Sequence, residues 1–345
     1  MSICSNLRQQ IYKGLNGDNW GLSMGLPKVE SVIDGVTRET YTLIFSGTGV
    51  GKTSFCLYSY VYRPIMDNLD NDNIKVIYFS LEMSKEILFA KILCIYMAET
   101  FGIEISTKEM LSKGRGKILD KEILAKIELA LDFFEKNIEP RFVVVDGTLN
   151  ADKYKEVIMK EVAKDGYFVD KTYFPNNPKK IIQVITDHLN LTRPAAGRSK
   201  KEEIDMISSY GVSIRNLCGV SITNIMQINR DSTSMDRRKG GFHTPQLSDI
   251  KESGSPSEDA EIVIGLFSPV IEKLSTHRGY DIKQMGSLFR SIFILKNRYG
   301  DMNFEVACAF YAKVNIWKEL PKAEDISNYE KYTKMQNFKK CEINI

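Results

Sequence analysis

The chain has 345 residues, 43% apolar and 26% charged, which is enough to bury a sizeable core as one large α/β domain or as two. Its net charge of +3 gives no global attraction for a polyanion, so any nucleic-acid contact must come from local clusters. The six cysteines are scattered with no Cys-x-x-Cys pair, and no apolar run spans a bilayer; both features read as a reduced, soluble, cytoplasmic protein with no membrane partner.

Residues 6–14 have a short helical pattern ended by Gly14, with too little apolar surface to stand alone. Two readings stay open for it, a frayed terminus or an arm that docks on a neighbour. Turn signals at Gly25-Leu26-Pro27 and Asp34-Gly35 lead into a first core strand at 41–45. Ser46-Gly47-Thr48-Gly49-Val50-Gly51-Lys52-Thr53-Ser54 follows, and then a helical run over 55–62. Strand, glycine-rich turn and helix in that order are the setting of a phosphate loop. Its backbone N–H groups turn inward on phosphate oxygens, and the helix N-terminus adds positive potential. Lys52 is placed to reach the β- and γ-phosphates of a nucleoside triphosphate, and the Thr53 hydroxyl to hold Mg²⁺. Ser46 stands where the strict pattern has glycine six positions before the lysine, and Gly47 and Gly49 supply the freedom instead.

Strands are predicted at 75–81, 141–145, 181–186 and 220–226, and helices at 86–98, 122–134, 151–163 and 204–217. Residues 104–120 read as a surface excursion and 164–180 as an irregular stretch. Three late strands are predicted at 260–267, 291–295 and 304–310, and the charged stretch after Pro321 as a poorly packed tail. Strands alternating with helices imply an α/β fold: a mostly parallel, twisted sheet with helices on both faces. In such a sheet, ligands sit beyond the carboxyl ends of the strands. Four strands end on suitable polar groups, Ser80/Glu82, Asp146, Asp187 and Gln227. Asp187 suits the Mg²⁺ carboxylate, with Asp146 as competitor; Gly147 and the following helix favour a turn or cap for Asp146. Glu82 is the candidate to polarise an attacking water, and Gln227 to sense the γ-phosphate.

Several of these runs resemble one family. Phe79-Ser80-Leu81-Glu82-Met83 is similar to the strand motif of DnaB-type replicative helicases, whose glutamate is the catalytic base. Asp187-His188-Leu189-Asn190-Leu191 resembles their Asp-Tyr-Leu-x-Leu magnesium motif, with histidine in the tyrosine position. Gln227-Ile228-Asn229-Arg230 resembles their Gln-Leu-Asn-Arg sensor. Residues 247–255, Leu-Ser-Asp-Ile-Lys-Glu-Ser-Gly-Ser, with Glu258-Asp259-Ala260-Glu261 resemble their DNA-loop motif, with Lys251 in place of arginine. Lys296-Asn297-Arg298-Tyr299-Gly300 is similar to their Lys-Asn-Arg-x-Gly finger. The phosphate loop, with Ser46 first, looks closest to the helicase half of phage primase-helicases.

The resemblance implies a RecA-like P-loop NTPase core over 29–320, an arm or linker at 1–28 and a tail at 321–345. It also implies a motor without the amino-terminal or primase domain. The family forms rings, usually of six, using ATP and Mg²⁺ and moving 5′→3′ on single-stranded DNA, with a primase or loader as further partner. Carried over, Lys296 and Arg298 would reach the neighbour's γ-phosphate. Two basic loops would face the DNA: 192–203, with Arg193, Arg198, Lys200 and Lys201, and 230–254, with Arg237, Arg238 and Lys239 followed by Lys251, Glu252, Ser253 and Gly254. Both read as mobile loops. The competing functions are a recombinase of RecA or RadA type and a non-hydrolysing, nucleotide-gated replication scaffold or loader.

Overall fold

A computed structural model describes residues 2–17, 19–114, 119–170, 172–228, 243–250 and 254–334. In chain order its strands are β1 (Tyr41–Ser46), β2 (Ile74–Ser80), β3 (Phe142–Asp146), β4 (Gly166–Val169), β5 (Thr172–Pro175), β6 (Ile181–Asp187) and β7 (Ser221–Gln227). They continue as β8 (Ile262–Phe267), β9 (Thr276–His277), β10 (Tyr280–Asp281), β11 (Phe289–Asn297), β12 (Phe304–Tyr311) and β13 (Ile316–Glu319). Nine of them form one central sheet, ordered β13-β12-β11-β8-β1-β7-β6-β2-β3. Pairing is parallel from β8 through β1, β7, β6 and β2 to β3, and antiparallel from β8 through β11 and β12 to β13. The mostly parallel sheet expected from the alternating pattern is therefore present.

The central strands are buried on both faces, so alternate residues feed two separate cores. Ile44, Tyr78 and Ile185 point to one, with the helices Pro27–Ile33, Lys85–Phe101 and Lys121–Asn137 and the helix over 52–66. Leu43, Phe79 and Val184 point to the other, with the helices Ala151–Val162 and Lys200–Cys218. The helix after the phosphate loop runs further than expected. It is α-helical over Lys52–Cys56, widens to a π-helix over Leu57–Tyr62 and returns to α over Arg63–Met66. The wide turns stand just ahead of Pro64, whose nitrogen has no proton to donate.

Three expectations are corrected. The irregular stretch 164–180 holds an antiparallel hairpin of β4 with β5. The tail after Pro321 is docked as far as Tyr332: Ile326 is buried, the Tyr280 hydroxyl donates to Pro321 O at 2.7 Å and the Tyr311 hydroxyl to Tyr332 O at 2.9 Å. The third concerns the loop 192–203. Lys200 to Glu203 form the first turn of a helix capped by Ser199, and buried Glu203 takes the Ala151 and Ala195 amides, which tethers the segment. At the other end, Ile3–Leu15 is a helix with no buried residue, while Met24 and Leu26 are fully buried in the larger core.

Candidate nucleotide-binding site

Register gathers the predicted polar groups at one edge of the sheet. Ser46 pairs with Gln227, and Ser80 with both Asp187 and Asp146, so the carboxyl ends of β1, β7, β2, β6 and β3 stand side by side. The phosphate loop fills this edge. Gly49 and Gly51 have φ of +78° and +114°, the region where a side chain is strained. At Gly51 a Cβ would also stand 2.9 Å from Phe310 and 3.1 Å from Trp317. Those two rings stack at 4.7 Å, and Phe55 meets Trp317 edge-on at 5.3 Å, so an aromatic floor lies under the loop. Arg290, at the start of β11, donates from Nε to Val50 O at 2.7 Å. Burial pushes its guanidinium down to about 10. Ser54 is tied to Asn315 at 2.8 Å.

Lys52 is buried, and its Nζ folds back onto the carbonyls of Ser46 and Gly47, both at 3.1 Å. Burial pushes it down to about 8, against the pull of Asp187 and Glu82. Asp187 is buried; its Oδ2 accepts from the Tyr78 hydroxyl at 2.7 Å, while Oδ1 has no hydrogen-bond partner. Burial holds the Tyr78 phenol far above its ordinary value, so it stays a donor. A buried carboxylate oxygen without a partner beside a phosphate loop fits a divalent cation. Among the described residues no three His, Cys, Asp or Glu side chains form a metal cage.

Glu82 lies just past β2, half exposed, with its carboxylate 4.0 Å from His188 Nε2. His188 is buried, and burial lowers its pKa, keeping the ring neutral at pH 7. The Leu81 amide donates to Asp187 O at 2.9 Å, which fixes Glu82 beside the magnesium candidate. Gln227 Nε2 donates to Thr48 Oγ1 at 3.0 Å, and the Gln227 backbone N–H to Asn190 Oδ1 at 2.8 Å. The sensor candidate thus touches the phosphate loop directly. Asp146 is exposed, and its carboxylate accepts the Lys85 backbone N–H at 3.3 Å, at the start of the helix Lys85–Phe101; the helix after Gly147 is capped by Asn150 instead.

Lys296 and Arg298 do not join this cluster. β11 runs antiparallel to β8, with Ser291 opposite Phe267 and Asn297 opposite Ile262. Phe267 and Ser268 line a cavity with Gly47 and Thr48, so the Ile262 end is the far edge of the sheet. Six residues of β8 at ~3.3 Å each put Arg298 about 17 Å or more from its own phosphate loop. Lys296 Nζ donates to Ser257 O and Glu258 O at 3.0 and 2.9 Å, and Arg298 lies 3.4 Å from Glu261.

Of the expected DNA-contact residues, Arg193 and Lys200 are exposed, Lys200 at the start of the helix Lys200–Cys218, while Arg198 is paired with Asp152 at 3.2 Å and Glu203 at 3.6 Å. Gly254 opens the short helix Gly254–Asp259. Arg237, Arg238, Lys251, Glu252 and Ser253 lie outside the described residues. Sequence reasoning missed Tyr78, Asn190 and Arg290. Each had one visible signal, a polar or charged residue inside or beside an apolar strand.

The chain spans about half the length of the curated relatives it matches. It is 25% identical over 248 residues to the probable replicative DNA helicase of Trieres chinensis, covering 72% of this chain and 47% of that protein. It is 24% identical over 314 residues to the replicative DNA helicase DnaC of Bacillus subtilis, covering 90% and 59%. Among solved structures, an ATPase domain superposes with a TM-score of 0.73 at 19% identity, covering 93% of this chain and 99% of that one. A DnaB-like replicative helicase, solved in a study of its interactions with primase, gives 0.68 at 22% identity, covering 93% and 67%. These likenesses establish the RecA-like fold. The model of the DnaB-like helicase C-terminal domain matches residues 21–319, and the chain belongs to that family.

Proposed function

We propose that the chain is the motor of a replicative DNA helicase: an ATPase that closes into a ring, moves on single-stranded DNA and parts the duplex. The observation that carries this reading is the separation of Arg298 from its own phosphate loop across the sheet. A guanidinium so placed is out of reach of its own subunit's nucleotide; acting on a neighbouring subunit's, it would make hydrolysis depend on assembly.

In this reading the loop over 46–54 cradles the phosphates with backbone N–H groups, and Lys52 leaves its loop carbonyls for the β- and γ-phosphates. Thr53 and the unpartnered Oδ1 of Asp187 would hold Mg²⁺, which when bound neutralises charge on the phosphates. Glu82 orients and deprotonates the attacking water. Gln227, joined to Thr48, senses the γ-phosphate and lies three residues before the segment assigned to DNA contact. Arg298 of the next subunit stabilises the charge that spreads in the transition state, a contribution of about 10³-fold or more.

Single-stranded DNA would be held by Arg193, Lys200 and the segments around Arg237, Arg238 and Lys251–Gly254, through phosphates and without regard to sequence. The exposed helix Ile3–Leu15, with Ile3, Leu7, Ile11 and Leu15 spaced on one face, is the arm that seats on a neighbouring subunit. A primase or a loader is the further partner this reading implies.

The test is ATP hydrolysis with and without single-stranded DNA, together with imaging of the assembly in ATP and DNA. Stimulation by DNA, its loss in Lys52→Ala and a closed ring are expected. Hydrolysis indifferent to DNA would sink the motor reading. An open filament would turn it into a recombinase, and tight ATP binding without turnover into a scaffold.

A further inference from the structure

Glu261 is a carboxylate in a place that penalises charge. It is 2% exposed, one residue ahead of β8, and its oxygens are engaged from three sides. Oε2 accepts the Tyr41 backbone N–H at 2.8 Å and a short bond from the Arg215 guanidinium, while Oε1 lies 3.4 Å from Nη1 of Arg298. The backbone closes the same link, since the Arg298 N–H donates to Glu261 O at 3.0 Å. Arg215 and the Tyr41 amide already satisfy one oxygen and neutralise the charge. The other oxygen is left for Arg298.

The strand that delivers Arg298 is itself turned there. The pairing of β11 with β8 slips between Ile294 and Lys296, a bulge that re-aims the strand end. The two cations of the Lys-Asn-Arg run then diverge. Lys296 spends its donors on carbonyls of the helix Gly254–Asp259 in its own subunit. Arg298 keeps a side chain 54% exposed, with Nη1 on Glu261 and the rest of its fork toward solvent.

We propose that Glu261 is a positioning residue for the finger, braced by Arg215 and the Tyr41 amide so that Arg298 is held out at the subunit surface in one orientation, while Lys296 clamps its own subunit. This deepens the functional reading above and rests on Arg298 acting in trans. A long, flexible arginine ordered before the site forms gives up less freedom when the neighbour's nucleotide arrives.

The test compares single-turnover ATP hydrolysis, ATP affinity and ring assembly for Glu261→Gln, Arg298→Ala and the double variant of the full chain. Glu261→Gln is expected to slow hydrolysis on the order of 10²-fold, the scale of a small misplacement, with affinity and assembly unchanged. The double variant is expected to be no slower than Arg298→Ala alone, because Glu261 acts only through Arg298. A residue that merely holds the fold together would slow the Arg298→Ala background further, and that result overturns the proposal. So does Glu261→Gln hydrolysing at the unsubstituted rate while Arg298→Ala is slow. If instead Arg298→Ala hydrolyses normally, the finger reading itself falls. Should Glu261→Gln not fold, Arg215→Gln removes the brace and leaves the carboxylate in place, and the same comparisons decide.

Discussion

Lys52 is held in two conflicting ways. Burial favours its neutral form and lowers its pKa to about 8, while Asp187 and Glu82 favour the cation. A triphosphate tips the balance to the cation. Affinity for ATP should therefore fall as pH rises from 7 to 9, by up to about tenfold, with proton uptake on binding near pH 8.5 in calorimetry. Without nucleotide the sign for stability is opposite. The unfolded lysine keeps its proton to about pH 10.4, so between pH 8 and 10 the unfolded chain binds more protons, and the penalty that the buried cation imposes on the fold is relieved as pH rises. Gly51 sets a steric limit beside it. A methyl group there meets both left-handed strain and the Phe310 ring at 2.9 Å. Gly51→Ala should cost about 1–3 kcal/mol in a denaturant titration and remove ATP binding. The glycine and lysine spacing was legible in the sequence because cradling a phosphate needs neighbours along the chain. Arg290 was not, because its partner is the Val50 carbonyl, brought to it by a distant strand.

Among the strands and helices, the phosphate loop rests on β11, β12 and β13, the antiparallel extension beyond β8. Arg290→Met should strand the Val50 carbonyl and lower stability by about 1–3 kcal/mol, with weaker ATP binding, and Arg290→Lys should not restore it because lysine lacks the planar fork. The β4–β5 hairpin depends on fewer contacts. Tyr173 is buried and bonded to Val162 O at 3.1 Å, while Tyr167 is exposed and stacks on Phe174. Tyr173→Ala should cost about 3 kcal/mol in urea unfolding, and Tyr167→Ala about 1 kcal/mol or less. Those strands carry aromatic residues on both faces with no polar alternation, so nothing in their sequence separated them from a loop. β13 escaped for a related reason. It is four residues long, and its Trp317 is recognisable as a floor only once it stands beneath Gly51.

For the molecule as a whole, the helix Ile3–Leu15 has no residue buried by the described residues, so deleting residues 2–16 should leave the melting temperature nearly unchanged. The same deletion should reduce ring size or occupancy by light scattering, if the arm seats on a neighbour. Unchanged assembly would return that helix to the status of a frayed end. The edge-to-edge separation of Arg298 from Lys52 also arises from the whole molecule, because it exists only after β8 and β11 are paired antiparallel.

The order of residues along the chain was enough to specify the phosphate loop, the parallel α/β core and the polar residues that close its strands. These depend on short-range spacing and on a period of two or of 3.6, which a chain displays along its length. It was enough for family membership too, because five motifs in one order are far more specific than any one. Which groups meet is a property of the folded molecule. Folding set the Tyr78 hydroxyl on Asp187, Arg290 on the loop, Glu261 on Arg298 and Arg298 at the sheet edge away from the phosphate loop. Those pairs are separated by tens to hundreds of residues, and a contact between them is fixed by strand order and register, which no local pattern encodes.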